Sequence, residues 1–332
     1  MPGRLLNEAE IIALIRELAG EPPPGVEVPI GDDAASYHFT GGDVLATVDS
    51  IYEGVHFNLD TFHLSDVGWK AAAAGVSDIA AMGGQPSCAL LSLAFAQAPT
   101  AEDVRALVSG LIEMLASCSC ALVGGDVCRS GGGLALTVTV LGTPPPGGPV
   151  LRGGAGEGDI IGLTGCVGDS GAGLFILELG RDELRSRYPR LVEAHLRPRP
   201  RVEAAGLLAA AGASAMEDVS DGLAADLSHI CEMSALGCEV EECLLPLGDD
   251  LRAFAGEVGE DPLRWALSGG EDYELLFTAP PDRFETACGS LLSSGIAVAR
   301  LGSMNAGGAR CVLLRDNGER VELRGAGYDH FT

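Results

Sequence analysis

Aspartates recur in this chain where predicted elements end or glycines break them. They are Asp32 and Asp33 after Gly31, Asp49 at the end of a predicted strand, and Asp78 in a predicted helix. Asp126 follows Gly124-Gly125, and Asp218 and Asp221 bracket a predicted strand-to-helix turn. A single surface carboxylate is ordinarily just solvated. As a set these are harder to dismiss, because several lie beside apolar residues where a lone charge is costly. Asp78 shares a helix face with Ala71, Ala74 and Gly75, so a ligand could approach closely. Oxygen-only donors of this kind suit Mg²⁺, which binds through a few carboxylates together with substrate phosphates.

The phosphate-binding signals are consistent with that chemistry. There is no Gly-x-x-x-x-Gly-Lys-Ser/Thr loop, and the only lysine, Lys70, falls inside a predicted helix. A phosphate enzyme built this way relies on metals, arginines and backbone amides, not on a P-loop lysine. Ser220, between Asp218 and Asp221, precedes a predicted helix whose first amides could face an anion. The glycine-rich segment 165–173 offers similar geometry but does not match the dinucleotide fingerprint. An acidic chain that meets a nucleotide must place divalent cations between carboxylate and phosphate. Phosphoryl transfer fits, and metal-assisted hydrolysis stays open on these grounds.

Lys and Arg number 21 against 47 Asp and Glu, a formal net charge of −26 over 332 residues. This balance excludes a protein that grips nucleic acid through its phosphates and argues against docking on anionic lipid. No apolar run reaches bilayer-spanning length, and 1–20 reads as an amphipathic helix without a signal-peptide core, so a cytoplasmic location is expected. The ten cysteines are scattered, mostly in apolar runs and with no Cys-x-x-Cys pair, which suggests buried thiols rather than a disulfide framework.

The elements that must position these carboxylates alternate along the chain. Apolar spacing predicts helices over 7–19, from a Ser65 cap to Met82, and over 100–118 with Thr100 as cap. Strands are expected at 44–48, 88–96 and 134–142, followed by a Pro- and Gly-rich break at 143–158. Beyond it, strands are expected at 159–164, 214–218, 237–242, 272–278, 296–301 and 310–315. Helices are expected at 172–180, 199–211, 222–234 and 281–294. The reading is a mixed α/β protein of two αβ domains, 1–150 and 151–332.

The motifs in order are Gly31-Asp-Asp-Ala-Ala35, Thr47-Val-Asp-Ser-Ile-Tyr-Glu-Gly-Val-His-Phe57, Trp69-Lys70, Ser77-Asp-Ile-Ala-Ala-Met-Gly-Gly-Gln-Pro86 and Gly124-Gly-Asp126. Gly168-Asp-Ser-Gly-Ala-Gly173, Asp218-Val-Ser-Asp-Gly-Leu223, Gly269-Gly-Glu-Asp-Tyr-Glu-Leu-Leu-Phe277 and Gly327-Tyr-Asp-His-Phe331 follow. Together they resemble the thiamine-monophosphate kinase family, within the superfamily of aminoimidazole-ribonucleotide synthetase. The resemblance implies phosphorylation of thiamine monophosphate by ATP with several Mg²⁺ ions, giving thiamine diphosphate. It also implies a homodimer paired through the N-terminal sheets, with the N-terminal domain binding ATP and Mg²⁺ and the C-terminal domain completing the sites. Carried over by position, Asp33, Thr47, Asp49, Asp78, Asp126, Asp218 and Asp221 are the expected metal ligands. Gly125, Asp126, Arg152 and Ser220 are expected to contact ATP, and His56, Glu271 and Tyr328 to contact thiamine monophosphate. Glu271 could offset the thiazolium charge and Tyr328 could stack on a flat ring.

Three positions depart from the family pattern: Val48 and Val127 where threonine is common, and Gly75 where asparagine is common. Each removes a hydrogen-bonding side chain beside the expected metals. Two relatives in the superfamily fit less well. The hydrogenase-maturation dehydratase uses a C-terminal cysteine, whereas this chain ends in Thr332, and selenophosphate synthetase needs a reactive residue near the N-terminus, whereas the first cysteine is Cys88. A nucleotide-binding regulatory protein and a metal-dependent phosphatase are the alternatives from other classes.

Overall fold

The computed structural model describes residues 8–21, 26–28, 36–37 and 42–323. It divides into two units, one of Met1–Ile79 with Gln85–Pro144 and one of Ala80–Gly84 with Pro145–Thr332. The first carries α1 (Glu8–Ala19), β1 (Val26–Val28), β2 (Ser36–Tyr37), β3 (Leu45–Tyr52), α2 (Leu64–Ala81), β4 (Gln85–Phe95), α3 (Ala101–Ser117), β5 (Ala121–Arg129) and β6 (Ala135–Thr143). Its main sheet has the order β3-β6-β4-β5, antiparallel except for the parallel β4/β5 pair.

One face of this sheet is buried and the other is not, as period-2 alternation dictates. Leu136, Val138 and Val140 of β6 are buried with Leu91 and Leu93 of β4, under Trp69, Ala72, Val76 and Ile79 of α2 and Val104, Leu107 and Leu111 of α3. Thr100 caps α3 as expected, exchanging hydrogen bonds with Asp103 in a capping box. The opposite face leaves Val48 61% and Tyr52 49% exposed.

Three local expectations are corrected here. The strand expected at 44–48 continues to Tyr52, because Ser50, Ile51 and Tyr52 keep pairing with Thr137, Leu136 and Ala135; Asp49 therefore lies within a strand. Ser65 sits in the first turn of α2 instead of capping it, the amides of Asp66 and Val67 bonding to the His63 carbonyl. Asp126 lies inside β5, a strand that local propensity does not suggest.

The second unit holds β7 (Ile160–Thr164), α4 (Asp169–Leu179), α5 (Asp182–Arg187), α6 (Pro189–Leu196), α7 (Val202–Ala211), β8 (Ala215–Asp218), α8 (Leu223–Ser234) and β9 (Gly237–Glu241). After these come α9 (Asp249–Val258), α10 (Leu263–Ser268), β10 (Leu275–Ala279), α11 (Pro281–Ser293), β11 (Val298–Asn305), β12 (Cys311–Leu314) and β13 (Arg320–Leu323). The seven strands order as β13-β12-β9-β11-β7-β10-β8, with β12/β9 the one parallel pair. Every residue of β7, β8 and β10 is buried, so this sheet is covered on both faces. Ala204, Leu208, Phe277, Phe284 and Leu291 pack into one cluster; Leu163, Leu227, Ile230, Val240 and Leu276 pack into another. A third joins Ile176 of α4, Leu191 of α6, Phe254 of α9 and Trp265 of α10. The segment expected as a turn before 172 is already helical from Asp169, because the Asp272 carboxylate accepts from the amides of Gly168 (2.7 Å) and Ser170 (3.0 Å).

The lone Lys70 is buried in α2 with its ammonium 5.3 Å from the centre of the Phe62 ring. All ten cysteines are free thiols; Cys88, Cys120, Cys231, Cys238 and Cys311 are buried, while Cys128 and Cys243 are exposed.

Candidate active site

In the first unit, Thr47 and Asp49 lie two residues apart on β3, and so share a face. Asp78 of α2 meets them there: the Thr47 hydroxyl donates to Asp78 Oδ2 at 2.5 Å. Burial pushes the Asp49 carboxyl up to about 7, reinforced by the charge of Asp78 and by a hydrogen bond between the two. No cation among the described residues counters that rise. A cation bound beside Asp49 would favour its ionised form and offset that rise. The donors are all oxygen, which fits Mg²⁺.

Asp126 is not part of this trio. In register, Asp126 pairs with Ser92, Ser92 with Thr137, and Thr137 with Ser50, so Asp126 shares the row of Ser50 on the face opposite Asp49. Strands β5 and β3 are the two edges of the sheet, three spacings or about 14 Å apart. Gly125 before it has φ +156°, and a Cβ there would lie 1.8 Å from the Leu91 carbonyl oxygen, so only glycine fits.

The three departures now have physical explanations. A Cβ at Gly75 would come within 2.8 Å of Val140 Cγ2, so α2 lies too close to β6 for an asparagine. Val48 points to the outer face, away from Asp49 and Asp78, and Val127 is buried in register with Leu93. Neither position aims a side chain at the trio.

His56 lies in the turn after β3, where its Nδ1 accepts from the Tyr52 amide at 3.1 Å. The neutral ring then carries its proton on Nε2.

In the second unit, β8 delivers Asp218, buried, to a loop of Val219, Ser220, Asp221 and Gly222 that enters α8. This loop is stitched to the segment 271–274: Glu271 N bonds Ser220 O at 2.8 Å, Tyr273 N bonds Val219 O at 2.9 Å, and Val219 N bonds Glu274 O at 2.8 Å. Glu271 and Tyr273 adopt φ of 57° and 50°, a conformation that costs a non-glycine residue of order 1 kcal/mol and persists where function or packing requires it. The Glu271 carboxylate lies 3.4 Å from His195 Nδ1. Asp218, Ser220, Asp221 and Glu271 are thus brought together on two stitched segments. Arg152 is half exposed and pairs through Nε with Glu217 Oε1 at 3.0 Å. Asp33 and Tyr328 lie outside the described residues.

Residue-by-residue reading missed three groups here. Asp272 holds the start of α4, Glu274 pairs with Arg201 and accepts from Thr164 Oγ1 at 2.6 Å, and Glu217 neutralises Arg152. The first two belong to the Gly-Gly-Glu-Asp-Tyr-Glu motif, whose density of acids beside a buried strand was the available signal.

Residues 31–143 match the AIR synthase related protein N-terminal domain and residues 156–312 match its C-terminal domain. The thiamine-monophosphate kinase of Bacillus subtilis is 35% identical over 92% of this chain and 94% of its own length. That of Escherichia coli K12 is 38% identical over 92% and 93%. The chain belongs to the thiamine-monophosphate kinase family. The crystal structure of the Stenotrophomonas maltophilia thiamine-monophosphate kinase superposes with a TM-score of 0.83 at 34% identity, covering 96% of this chain and 99% of that one. AaThiL complexed with AMPPCP and TMP superposes at 0.78 with 31% identity, covering 98% and 97%. The hydrogenase maturation protein HypE shares the fold at 20% identity. In kinase-family terms, the Thr47–Asp49–Asp78 trio and the Asp218–Asp221 loop belong to separate units of the chain, one from each matched domain.

Proposed function

We propose that this chain transfers the γ-phosphoryl group of ATP to the phosphate of thiamine monophosphate, giving thiamine diphosphate and ADP. The observation that carries the reading is the Thr47–Asp49–Asp78 trio, a partly buried oxygen-donor set with no described cation to counter it, in a chain whose relatives are thiamine-monophosphate kinases. Asp49 and Asp78, with Thr47, would hold Mg²⁺, as would Asp126, Asp218 and Asp221, and Asp33 by position in the family motif. The ions would neutralise repulsion between the anionic nucleotide and the anionic acceptor.

Arg152, Gly125 and Ser220 are assigned to ATP by position in the family motifs. Glu271, His56 and, by position, Tyr328 are assigned to thiamine monophosphate. The acceptor is a phosphate oxygen already anionic near neutral pH, so no hydroxyl proton has to be removed. Transfer is therefore direct and in-line, without a phosphoenzyme, and positioning does most of the work. His56 orients substrate; His56→Gln is expected to raise the KM for thiamine monophosphate about tenfold with a smaller loss in kcat.

The exposed face of the first unit's sheet, with Val48 and Tyr52, is assigned to pairing with a second copy of the chain. No helix among the described residues is long and apolar enough to cross a membrane; a cytoplasmic location is proposed from the activity.

Incubation with Mg-ATP and thiamine monophosphate tests the assignment. Thiamine diphosphate formed one-for-one with ADP is the expected result. ADP formed at the same rate without acceptor overturns it in favour of a hydrolase, and γ-phosphate label retained on denatured protein overturns direct transfer.

A further inference from the structure

Beside the Asp218–Asp221 loop lies a group of side chains that the proposed kinase chemistry does not use. Glu217 on β8 faces Asp226 and His229, one helical turn apart on α8. A carboxylate oxygen of Glu217, one of Asp226 and Nδ1 of His229 all lie within 4.8 Å of one another. Among the described residues this is the single group of histidine, cysteine and carboxylate side chains so arranged.

The hydrogen bonding at this group is incomplete in a specific way. Glu217 Oε1 accepts from Arg152 at 3.0 Å and lies 2.9 Å from His229 Nδ1. Its other oxygen, Oε2, and both oxygens of Asp226 meet no hydrogen-bond partner, yet they are closed to solvent. Asp226 is 0% exposed and Glu217 1%. His229 Nδ1 is 3.9 Å from Asp226 Oδ1, too far for a hydrogen bond. Burial raises the Asp226 carboxyl well above its usual range, and the neighbouring charges of Glu217, Asp218 and Asp221 push in the same direction; the nearby Asp221 amide offsets only part of this. Four carboxylates thus converge where β8 meets α8, against Arg152 and His229. Three carboxylate oxygens closed to solvent that meet no hydrogen-bond partner, with only the Asp221 amide nearby, are what a cation site looks like before the cation is added.

We propose that Glu217, Asp226 and His229 bind a divalent transition metal ion, at a site separate from the oxygen-only positions assigned to Mg²⁺. Two carboxylates and an imidazole favour Mn²⁺, Fe²⁺, Co²⁺ or Zn²⁺ over Mg²⁺, which takes oxygen and water almost exclusively. Arg152 occupies Glu217 Oε1 and leaves Oε2 for the ion. His229 binds as the neutral ring, its Nδ1 proton passing to solvent. The side chain of His229 is 38% exposed, which gives the ion a way in. Bound there, the ion ties β8 to α8 on either side of the 219–222 loop and fixes the span that carries Ser220 and Asp221.

The test uses Mn²⁺ as the probe on the full-length protein. Every other residue assigned to a metal in this chain offers oxygen, so a nitrogen coupling in the pulsed electron paramagnetic resonance spectrum reports this site alone. The expected result is a single-histidine nitrogen coupling in the wild type that disappears in His229→Gln, while oxygen-bound Mn²⁺ remains. Asp226→Asn is expected to weaken the nitrogen-coupled Mn²⁺ at least tenfold. Absence of nitrogen coupling in the wild type at saturating Mn²⁺ overturns the proposal, and so does a coupling that survives in His229→Gln. Because His229 is partly exposed, its glutamine variant keeps the test decisive even if Asp226→Asn does not fold. Kinase turnover with Mg-ATP is read separately, so loss of one reading leaves the other standing.

Discussion

In the first unit, Asp49 and Asp78 face each other with the Thr47 hydroxyl as the described donor; in the second, Glu217 faces Arg152 and His229. The first pair sits on an edge strand and its helix, with no cation nearby among the described residues. The second carboxylate is more deeply buried, yet carries Arg152 and, when protonated, His229 as cationic partners on its own unit. Burial raises both, but a carboxylate with a built-in counter-charge, as Glu217 has in Arg152, is raised less than its burial alone would dictate. One whose counter-charge arrives with the substrate is left strained until then, and strain of that kind marks the functional site.

The largest effect should come from removing the strained pair. Asp49→Asn is expected to cut turnover a thousandfold or more, about 4 kcal/mol of barrier, while the fold is kept; Asp126→Asn, Asp218→Asn and Asp221→Asn should behave alike. Steady-state kinetics at ordinary Mg²⁺ checks this, and full activity in any one variant removes that aspartate from the metal set.

Next in size is the packing that brings Asp78 to β3. Gly75→Asn restores the side chain common in the family, but its Cβ collides with Val140, so a loss of about 2 kcal/mol in stability is expected by denaturant unfolding. An unchanged unfolding midpoint would mean that α2 can shift off β6 at no cost.

Arg152→Ala removes the permanent cation from Glu217. An increase of about tenfold in the KM for ATP is expected, together with a stability loss of about 1 kcal/mol, modest because the guanidinium is half exposed. A variant with unaltered ATP kinetics would leave Arg152 as the counter-ion of Glu217 alone.

The smallest effect separates the two regions by pH. With its folded pKa about 7 and an unfolded value near 3.8, Asp49 holds a proton that the unfolded chain has lost between those values. The folded state binds more protons there, so this group's contribution to stability falls as pH rises from about 4 to 7. In metal-free protein, Asp49→Asn should flatten that part of the profile and raise stability near pH 7 by about 1 kcal/mol. A wild-type and variant with superimposable melting profiles from pH 4 to 7 would show that Asp49 is not strained.

Much of this architecture is legible in the sequence because the core strands alternate cleanly. Leu136, Val138 and Val140 between threonines mark β6 without ambiguity, and Thr100 with Asp103 marks the start of α3. Strand β5 is not legible: Gly124, Gly125 and Asp126 are poor strand formers, and parallel pairing to β4 overrides them. For the same reason Asp126 reads as one more member of an aspartate cluster. Only the register reveals that it lies on the other edge and the other face from Asp49. Helices α9 and α10 are also missed, being short segments: α9 buries only Leu251, Phe254 and Ala255, and α10 only Leu263, Trp265 and Ala266.

The order of strands in the second unit also governs how the chain can be made. Leu163 of β7 pairs with Leu276 of β10 and with Ala299 of β11, and β8 has β10 as its sheet neighbour. During synthesis both β7 and β8 leave the ribosome without a partner. They wait while more than a hundred residues are added after β7, on the order of ten seconds at ordinary elongation rates. Strands with no exposed residue are thus unshielded for that interval, and the unit can close only after nearly the whole chain has emerged. Slowed elongation across the region between β8 and β10 would lengthen the exposure, making yield of soluble protein sensitive to codon choice there and to chaperones that hold extended apolar segments.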